Sequence, residues 1–349
     1  MQIAIVAATL PEPDRKLGGV EVFIHRLANR LASDPAHQVT VFSLCDRPAD
    51  ARYEHRKLFA RLGAIARHKL FIWFVFPLLL NFVDWRGFDV VHLHGDDWFY
   101  LRRPVPSVRT MHGSALNEAR TATSLQRKLM QRLIYPLEHL SVRLATIAVA
   151  IGSDSRDIYE LPYVIDIGVS LEQFFPGPKA AEPAILFVGT WTGRKRGQFV
   201  YQQFIDRILP QVPAAKLWMV SDHCLPHPSV VHLVFPDDAT LAQHYRTAWV
   251  FGYPSLYEGF GMPYVEALAS GTAIVTSRNG GAEHILAQGT YGVIADDDDF
   301  AAAILRLLTD APARQALETE GIRRAKDFSW QTVGDRYLDI YSKAIAHFS

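Results

Sequence analysis

Short apolar runs alternate with helical patterns along almost the whole of this chain, and that alternation leaves few folds open. Ile3 to Ala8 reads as a buried strand, after which Val20, Ile24, Leu27 and Leu31 repeat at helical spacing. Gln38 to Leu44, Phe88 to Leu93 and Ser107 to Met111 are further strand-like runs. A long helical stretch over residues 124–144 and a short apolar run from Thr146 to Ile151 follow. Residues 152–178, with several Pro and Gly, read as a linker with short structure. A second alternating set begins at Ala184 to Val188 and continues through Lys216 to Val220, Val230 to Val234, Val250 to Tyr253 and Ala273 to Thr276. Strands alternating with helices predict parallel sheets covered on both faces, with ligands at the carboxyl ends of the strands. No internal repeat is visible. The acidic run Asp296 to Asp299 reads as a solvated loop entering a helix, where carboxylates suit the N-terminus. Its four adjacent carboxylates lack the alternating spacing of a calcium loop.

At 349 residues the chain is long enough for two domains, and 49% apolar residues suffice for two cores. The 36 basic and 36 acidic residues leave no global positive field, which argues against a nucleic-acid partner. Two cysteines, Cys45 and Cys224, build no disulfide framework and fit a reducing cytosol. Met1 to Leu10 lacks a basic n-region and reads as a first strand rather than a signal peptide. Leu70 to Val83 is nearly all apolar but shorter than the roughly 20 residues a membrane span needs. Arg52, Arg56, Lys57, Arg61, Arg67, His68 and Lys69 precede it. One reading is peripheral contact with anionic lipid. The other, favoured by the length of the run, is a buried helix behind a solvated positive loop.

Residues 254–276 carry the densest chemistry. Glu258 sits in a glycine-rich turn and Glu266 lies eight residues on, with a helix start between them. Pro263 suits the first position of that helix, because its missing N–H would have no partner there. The N–H groups of Gly259, Phe260, Gly261 and Met262 then point out of the helix mouth. Two carboxylates that only accept hydrogen bonds, beside a row of donors, suit a ligand rich in hydroxyls that also carries an anion, such as a nucleotide-sugar. A second segment, Phe187 to Gly197, places Arg194, Lys195 and Arg196 between a strand and a helix, where cations and helix N-terminus together hold an anion. In the first half, Gly18-Gly19 precedes a helix; such a pair lets backbone approach a ligand, or makes a tight turn. His112 follows the fourth strand and precedes Gly113, at the mouth of the sheet. His92 and His94 share one face of their strand and read as satisfied polar groups at its end. Asp96, Asp97 and Trp98 come next, in position to meet an acceptor.

The 254–276 block resembles the E-x7-E signature of the retaining GT-B glycosyltransferases of family 4, the group 1 glycosyl transferases. The flanks match as well: Pro254-Ser255 before, Gly-Phe-Gly inside, Glu-Ala-Leu-Ala-x-Gly-Thr after, then Gly280-Gly281 and Glu283. The segment 187–197 is similar to the family's Gly-Arg…Lys-Gly phosphate motif, with Thr190 where arginine is usual and the Lys-Gly pair spread over Arg194-Lys195-Arg196-Gly197. The resemblance covers nearly the whole chain and is specific at 187–197 and 254–283. It implies an α/β GT-B architecture, two Rossmann-like βαβ domains with parallel sheets facing across a cleft. Residues 1–165 would be the acceptor side, with a last helix over 330–349 packing back on it, and residues 166–329 the donor side.

The resemblance also implies roles. Glu258 would accept from donor-sugar hydroxyls beside the N–H groups of Gly259, Phe260, Gly261 and Met262, and Glu266 would hold the ribose hydroxyls. Arg194 and Lys195, then Arg196, would neutralise the diphosphate. Gly18 and Gly19 would lie against phosphate and acceptor, and His112 near the reacting carbon. The reaction would move a sugar from a nucleoside-diphosphate sugar to a glycan, lipid-linked or small-molecule hydroxyl, with retention and without an essential metal or other cofactor, in the cytoplasm or at a membrane periphery. Residues 52–83 with Asp96 to Tyr100 would set acceptor specificity. The alternative is a non-catalytic nucleotide-sugar-binding subunit or scaffold of the same fold, supported by Thr190. A nicotinamide dehydrogenase would need Gly-x-Gly-x-x-Gly after its first strand, where this chain has Val6-Ala-Ala-Thr-Leu-Pro-Glu-Pro13.

Overall fold

The computed structural model describes residues 1–12, 19–60, 68–121 and 124–348, the side chains of 121, 153 and 154 excepted. Gly18, Arg61 and Arg67 lie outside the described residues. The chain forms two compact units, Met1–Gly168 with Trp330–Ser349, and Val169–Ser329.

The first unit is built on seven strands: β1 (Gln2–Val6), β2 (Gln38–Ser43), β3 (Glu54–Lys57), β4 (Val90–Leu93), β5 (Ser107–Met111), β6 (Ile147–Ala150) and β7 (Tyr163–Val164). All pair in parallel, in the order β3-β2-β1-β4-β5-β6-β7. Successive strand residues face opposite ways, so the apolar runs feed two cores. Ile3, Ile5, Val41 and Val149 pack on one face against Phe23 and Leu27 of the helix Gly19–Ala32 and against Val333, Tyr337, Ile340 and Tyr341 of the helix Trp330–Phe348. Ala4, Val6, Phe42 and Leu93 pack on the other face against Phe71, Phe76, Leu80 and Trp85.

The second unit has six parallel strands: β8 (Ala184–Val188), β9 (Lys216–Val220), β10 (Val230–Leu233), β11 (Val250–Tyr253), β12 (Ala273–Thr276) and β13 (Val293–Ile294), in the order β10-β9-β8-β11-β12-β13. The chain winds outward from β8 in one direction and returns at β11 to wind in the other. Loops leaving adjacent strands at such a reversal diverge and open a crevice at the strands' carboxyl ends. In this unit those loops are 189–196 and 254–261; in the first unit the reversal lies between β1 and β4.

Three strands depart from the sequence expectation. β3, β7 and β13 are short and lie at or next to sheet edges, and none of their residues is fully buried, so no apolar run marks them. Residues 152–178 contain the helix Gly152–Tyr159 besides β7, more structure than a linker. The run Leu70 to Val83 is not one buried helix. It breaks into a π turn Phe71–Val75, the short helix Phe76–Leu79 and a 3-10 turn Leu80–Phe82, with Phe71, Phe76 and Leu80 buried and Leu70, Leu78 and Phe82 exposed. Pro77 near the start of the second piece removes an N–H that a continuous helix would need. Among the described residues no helix is long and apolar enough to cross a membrane, and Cys45 and Cys224 are both free thiols.

Candidate active site

Four side chains and two loops converge on the Glu258 carboxylate. Tyr253, at the end of β11, donates its hydroxyl to Oε1 at 2.8 Å, and Ser255 donates at 2.6 Å. The Lys195 ammonium, delivered by the loop after β8, donates at 2.5 Å, and an Arg194 guanidinium nitrogen stands 3.0 Å away. Lys195 also lies over the Tyr253 ring, 4.7 Å from its centre, and donates to the Tyr253 hydroxyl. The two loops are sewn together by backbone. The Leu256 N–H donates to the Arg194 carbonyl at 2.9 Å, and Arg194 donates to the carbonyl of Tyr257. Burial pushes the Glu258 carboxyl up. The Lys195 charge, the hydrogen bonds from Lys195 and Ser255, and the charge of Arg194 outweigh that and hold the group below its ordinary value. Burial draws the Lys195 ammonium down, opposed by the charge of Glu258. The result is an ion pair at the crevice mouth, set between two donors of hydrogen bonds.

The turn that follows is fixed by glycine. Gly261 caps the helix Met262–Ala269 with φ of +97°, and a Cβ there would stand 2.5 Å from the Tyr264 ring. Gly281 is held under the turn: its N–H donates to the Glu258 carbonyl at 3.1 Å, and a Cβ would meet the Phe260 carbonyl oxygen at 2.5 Å. Asn279 closes the network, donating to the Ser255 carbonyl and to the Tyr264 hydroxyl, both at 2.9 Å, while its side-chain oxygen caps the helix Gly280–Ile285. Among the described residues the N–H groups of Gly259, Phe260, Gly261 and Met262 have no acceptor. They leave a row of donors at the helix N-terminus beside the ion pair.

Glu266, about one turn into that helix, is partly open to solvent, yet desolvation pushes its carboxyl up to about 7. The Tyr245 hydroxyl beside it pulls the other way, the charge of Asp238 reinforces the rise and that of Lys195 opposes it. Arg196, expected among the phosphate binders, is turned elsewhere. Its backbone is left-handed, with φ of +62°, and its guanidinium makes a two-pronged pair with Asp297 at 2.7 and 2.6 Å while lying over the Phe199 ring. Arg196 therefore ties its loop to the helix Asp297–Thr309 instead of joining Arg194 and Lys195. Asp297 belongs to the acidic run, which does open a helix. Among the described residues no group of three or more His, Cys, Asp or Glu side chains is gathered to hold a metal ion.

In the first unit, His112 follows β5 and its Nε2 lies 2.9 Å from His94 Nδ1. Burial and the Arg109 charge push His112 down to about 3, so the ring is neutral. Both histidines line a cavity of about 370 Å³ at the carboxyl ends of β4 and β5, with Trp73, Asp96, Trp98 and Glu138. Burial pushes Asp96 up to about 7, opposed by Arg109 and reinforced by Asp97 and Glu138. His92 is the satisfied polar group expected: Nδ1 meets the Tyr341 hydroxyl and Nε2 the Thr110 hydroxyl, each at 2.7 Å. His94 shares its face, ring centres 3.9 Å apart, but opens on the cavity, and its Nε2 has no hydrogen-bond partner among the described residues. Asp97 is taken out of any acceptor role by Arg103 and Arg109, each at 2.9 Å, and by the Ser141 hydroxyl at 2.7 Å. Trp98 donates to the Trp73 carbonyl and forms part of the cavity wall. Gly19 opens its helix exposed, with no atom of the described residues within 4 Å of where a Cβ would stand. Tyr253, Ser255, Asn279 and Glu138 were not singled out from sequence. Only the Pro254-Ser255 flank of the motif hinted at one of them.

Two parallel, doubly wound units with polar clusters at their strand ends define the GT-B class. Solved structures of low sequence identity share the fold over nearly all of the chain. Sucrose-phosphate synthase from Thermosynechococcus elongatus has a TM-score of 0.74 at 21% identity, covering 99% of each chain. Anabaena HepE, solved in complex with UDP and glucose, has a TM-score of 0.68 at 16% identity, covering 97% of this chain and 99% of its own. In sequence, residues 17–167 match the model for Glycosyltransferase Family 4 and residues 182–310 that for Glycosyl transferases group 1. A glycosyltransferase of Methanocaldococcus jannaschii is 24% identical over 99% of both chains. The phosphatidyl-myo-inositol mannosyltransferase of Mycolicibacterium smegmatis is 27% identical over 73% of this chain and 71% of its own. The MMP alpha-(1->4)-mannosyltransferase of Mycolicibacterium hassiacum is 37% identical, but over 41% of this chain and only 36% of that enzyme. The chain belongs to glycosyltransferase family 4, the group 1 glycosyl transferases, and is a transferase enzyme.

Proposed function

We propose that this glycosyltransferase moves a sugar from a nucleoside-diphosphate sugar, held by the second unit, to a hydroxyl acceptor held by the first, with retention and without an essential metal. The observation that carries the reading is the Glu258–Lys195–Arg194 cluster beside unpaired N–H groups. A diphosphate needs cations and N–H donors, and sugar hydroxyls need a carboxylate acceptor; both are met within one crevice. On donor binding, Lys195 and Arg194 share their charge between Glu258 and the leaving phosphate, Glu258 accepts from sugar hydroxyls, and Glu266 accepts from the ribose. Charge-assisted hydrogen bonds of this kind are worth about 1.5–3 kcal/mol each. Neutral His112 can only donate or accept a hydrogen bond, so it positions a hydroxyl in the cavity of the first unit rather than supplying charge. The departing phosphate oxygen takes the acceptor proton on the same face as an oxocarbenium-like centre forms. The UDP and glucose bound by Anabaena HepE, and the mannosyl transfer named for the mycobacterial relatives, support a donor of this class. The acceptor is a hydroxyl compound seated in the cavity of Asp96, His94 and His112.

A thermal-shift screen of UDP-, GDP-, ADP- and TDP-sugars on wild type and Glu266→Ala tests the reading. Ligand at a hundredfold its Kd adds about 2.7 kcal/mol. A shift with one base, absent in the variant, is the expected result; no shift with any of the four refutes the donor assignment.

A further inference from the structure

The helix Leu125–Leu144 carries an apolar ridge on its outer side. Leu125, Leu129, Leu133 and Leu140 are 71%, 57%, 54% and 36% exposed. At about 3.6 residues per turn these four, with exposed Pro136, fall within an arc of about 80°, while the buried Ile134 and Ser141 point the opposite way. The ridge is thus what remains after the helix has packed. Arg143 lies within the same arc, with Arg132 about 20° and Lys128 about 60° beyond its edge, and none of the three has an acidic partner among the described residues. The helix's one acid, Glu138, is turned inward, where it accepts from the Ala115 N–H at 3.0 Å and from Tyr159. A chain of balanced overall charge therefore presents one helix face of leucine and arginine with no exposed acid. Trp73 packs into the cluster of Trp98, Met130 and Ile134, on the buried side of the helix, which leaves the ridge uncovered.

We propose that this face docks the enzyme on an anionic lipid surface, the leucines entering the acyl boundary and Lys128, Arg132 and Arg143 meeting the headgroups. A helix lying in the plane of a membrane needs that division, apolar residues on one side and cations beside them. The charge decides between lipid and a second copy of this chain: two such faces brought together would oppose like charges, whereas an anionic bilayer complements them. The docking stands independently of which sugar is transferred.

Co-sedimentation of the full chain with phosphatidylcholine vesicles, with and without phosphatidylglycerol, provides the test. Wild type pellets with the anionic vesicles, and added salt weakens the binding. The double substitution Leu129→Asp with Leu133→Asp abolishes pelleting without lowering the melting temperature, since both leucines are mostly exposed. Arg132→Ala with Arg143→Ala weakens partition by about fivefold for each cation removed. Wild type remaining in the supernatant with both vesicle types overturns the proposal. So does equal pelleting of the leucine variant, or equal affinity for neutral and anionic vesicles. A dimer in solution that becomes monomeric in the leucine variant, without vesicle binding, overturns it in favour of self-association.

Discussion

Glu258→Gln keeps the volume of the side chain and removes its charge, which isolates the electrostatic part of the crevice. In the folded protein one carboxylate oxygen takes hydrogen bonds from Tyr253 at 2.8 Å and Ser255 at 2.6 Å and the ammonium of Lys195 at 2.5 Å. The Lys195 side chain is only 18% exposed, so it cannot recover hydration when its counter-ion is lost, whereas Arg194, at 51%, can. Removing one partner of a buried pair costs about 3–5 kcal/mol, and the partial exposure of Lys195 and Arg194 brings this to about 2–3 kcal/mol. For a unit the size of Val169–Ser329, each kcal/mol moves Tm by about 2–4 °C, so the transition of this unit falls by about 4–12 °C. Lys195→Met leaves the carboxylate with Ser255, Tyr253 and the half-exposed Arg194, and costs up to a comparable amount. The double variant loses less than the sum, because neither orphaned charge remains; the cycle yields a coupling of about 1–3 kcal/mol. Calorimetry at neutral pH reads all four proteins. The pH dependence supplies an internal check. A carboxyl held below its ordinary 4.5 contributes stability that is fully present above that pH and is lost as pH falls through its lower folded value. The gap between wild type and Glu258→Gln therefore narrows in acid. Single variants that melt with wild type, or additive losses in the double variant, refute the argument that the pair holds the crevice together.

Four further outcomes follow from the same geometry. Glu266, pushed up to about 7 in the folded chain from an ordinary 4.5, carries a proton near pH 6, and that state contributes stability that is lost as pH rises through about 7. Ribose hydroxyls favour the carboxylate, so donor binding near pH 6 releases up to about one proton; calorimetry in buffers of different ionisation enthalpy detects it, and Glu266→Gln abolishes it. Arg196→Ala, which frees Asp297 rather than any ligand, leaves donor Kd within about twofold of wild type. A larger loss of affinity restores Arg196 to the phosphate site. Gly281→Ala forces a methyl to within 2.5 Å of the Phe260 carbonyl, costing about 1–3 kcal/mol of stability in a melt, and an unchanged Tm contradicts the close packing under the turn. His112→Gln lowers kcat by about tenfold to a hundredfold, while the acid limb of the pH–rate profile stays in place, because the histidine is already neutral down to about pH 3. A limb that moves with the variant assigns the titration to His112.

Much of the architecture was legible because its central strands are buried on both faces. β5, β8, β11 and β12 coincide with strand-like runs read from the sequence, since every residue or nearly every residue in them is removed from water. The edge strands β3 and β7 were not legible: a strand such as Glu54–Lys57 is recruited by its neighbour's free backbone groups, and its side chains stay wet. The E-x7-E block was legible for a different reason. A fixed spacing across a turn and a helix start is a geometric statement, and it brought Glu258 and the N–H row to one mouth wherever the rest of the chain went. The three cations of Arg194-Lys195-Arg196 show where such reasoning stops. In sequence they are equivalent, but the left-handed backbone at Arg196, φ of +62°, throws the third side chain away from the first two and toward an aspartate 101 positions on. Adjacency in a loop assigns charge to a neighbourhood; only the dihedral at each residue decides which cation joins the Glu258 cluster and which one fastens the loop that carries it.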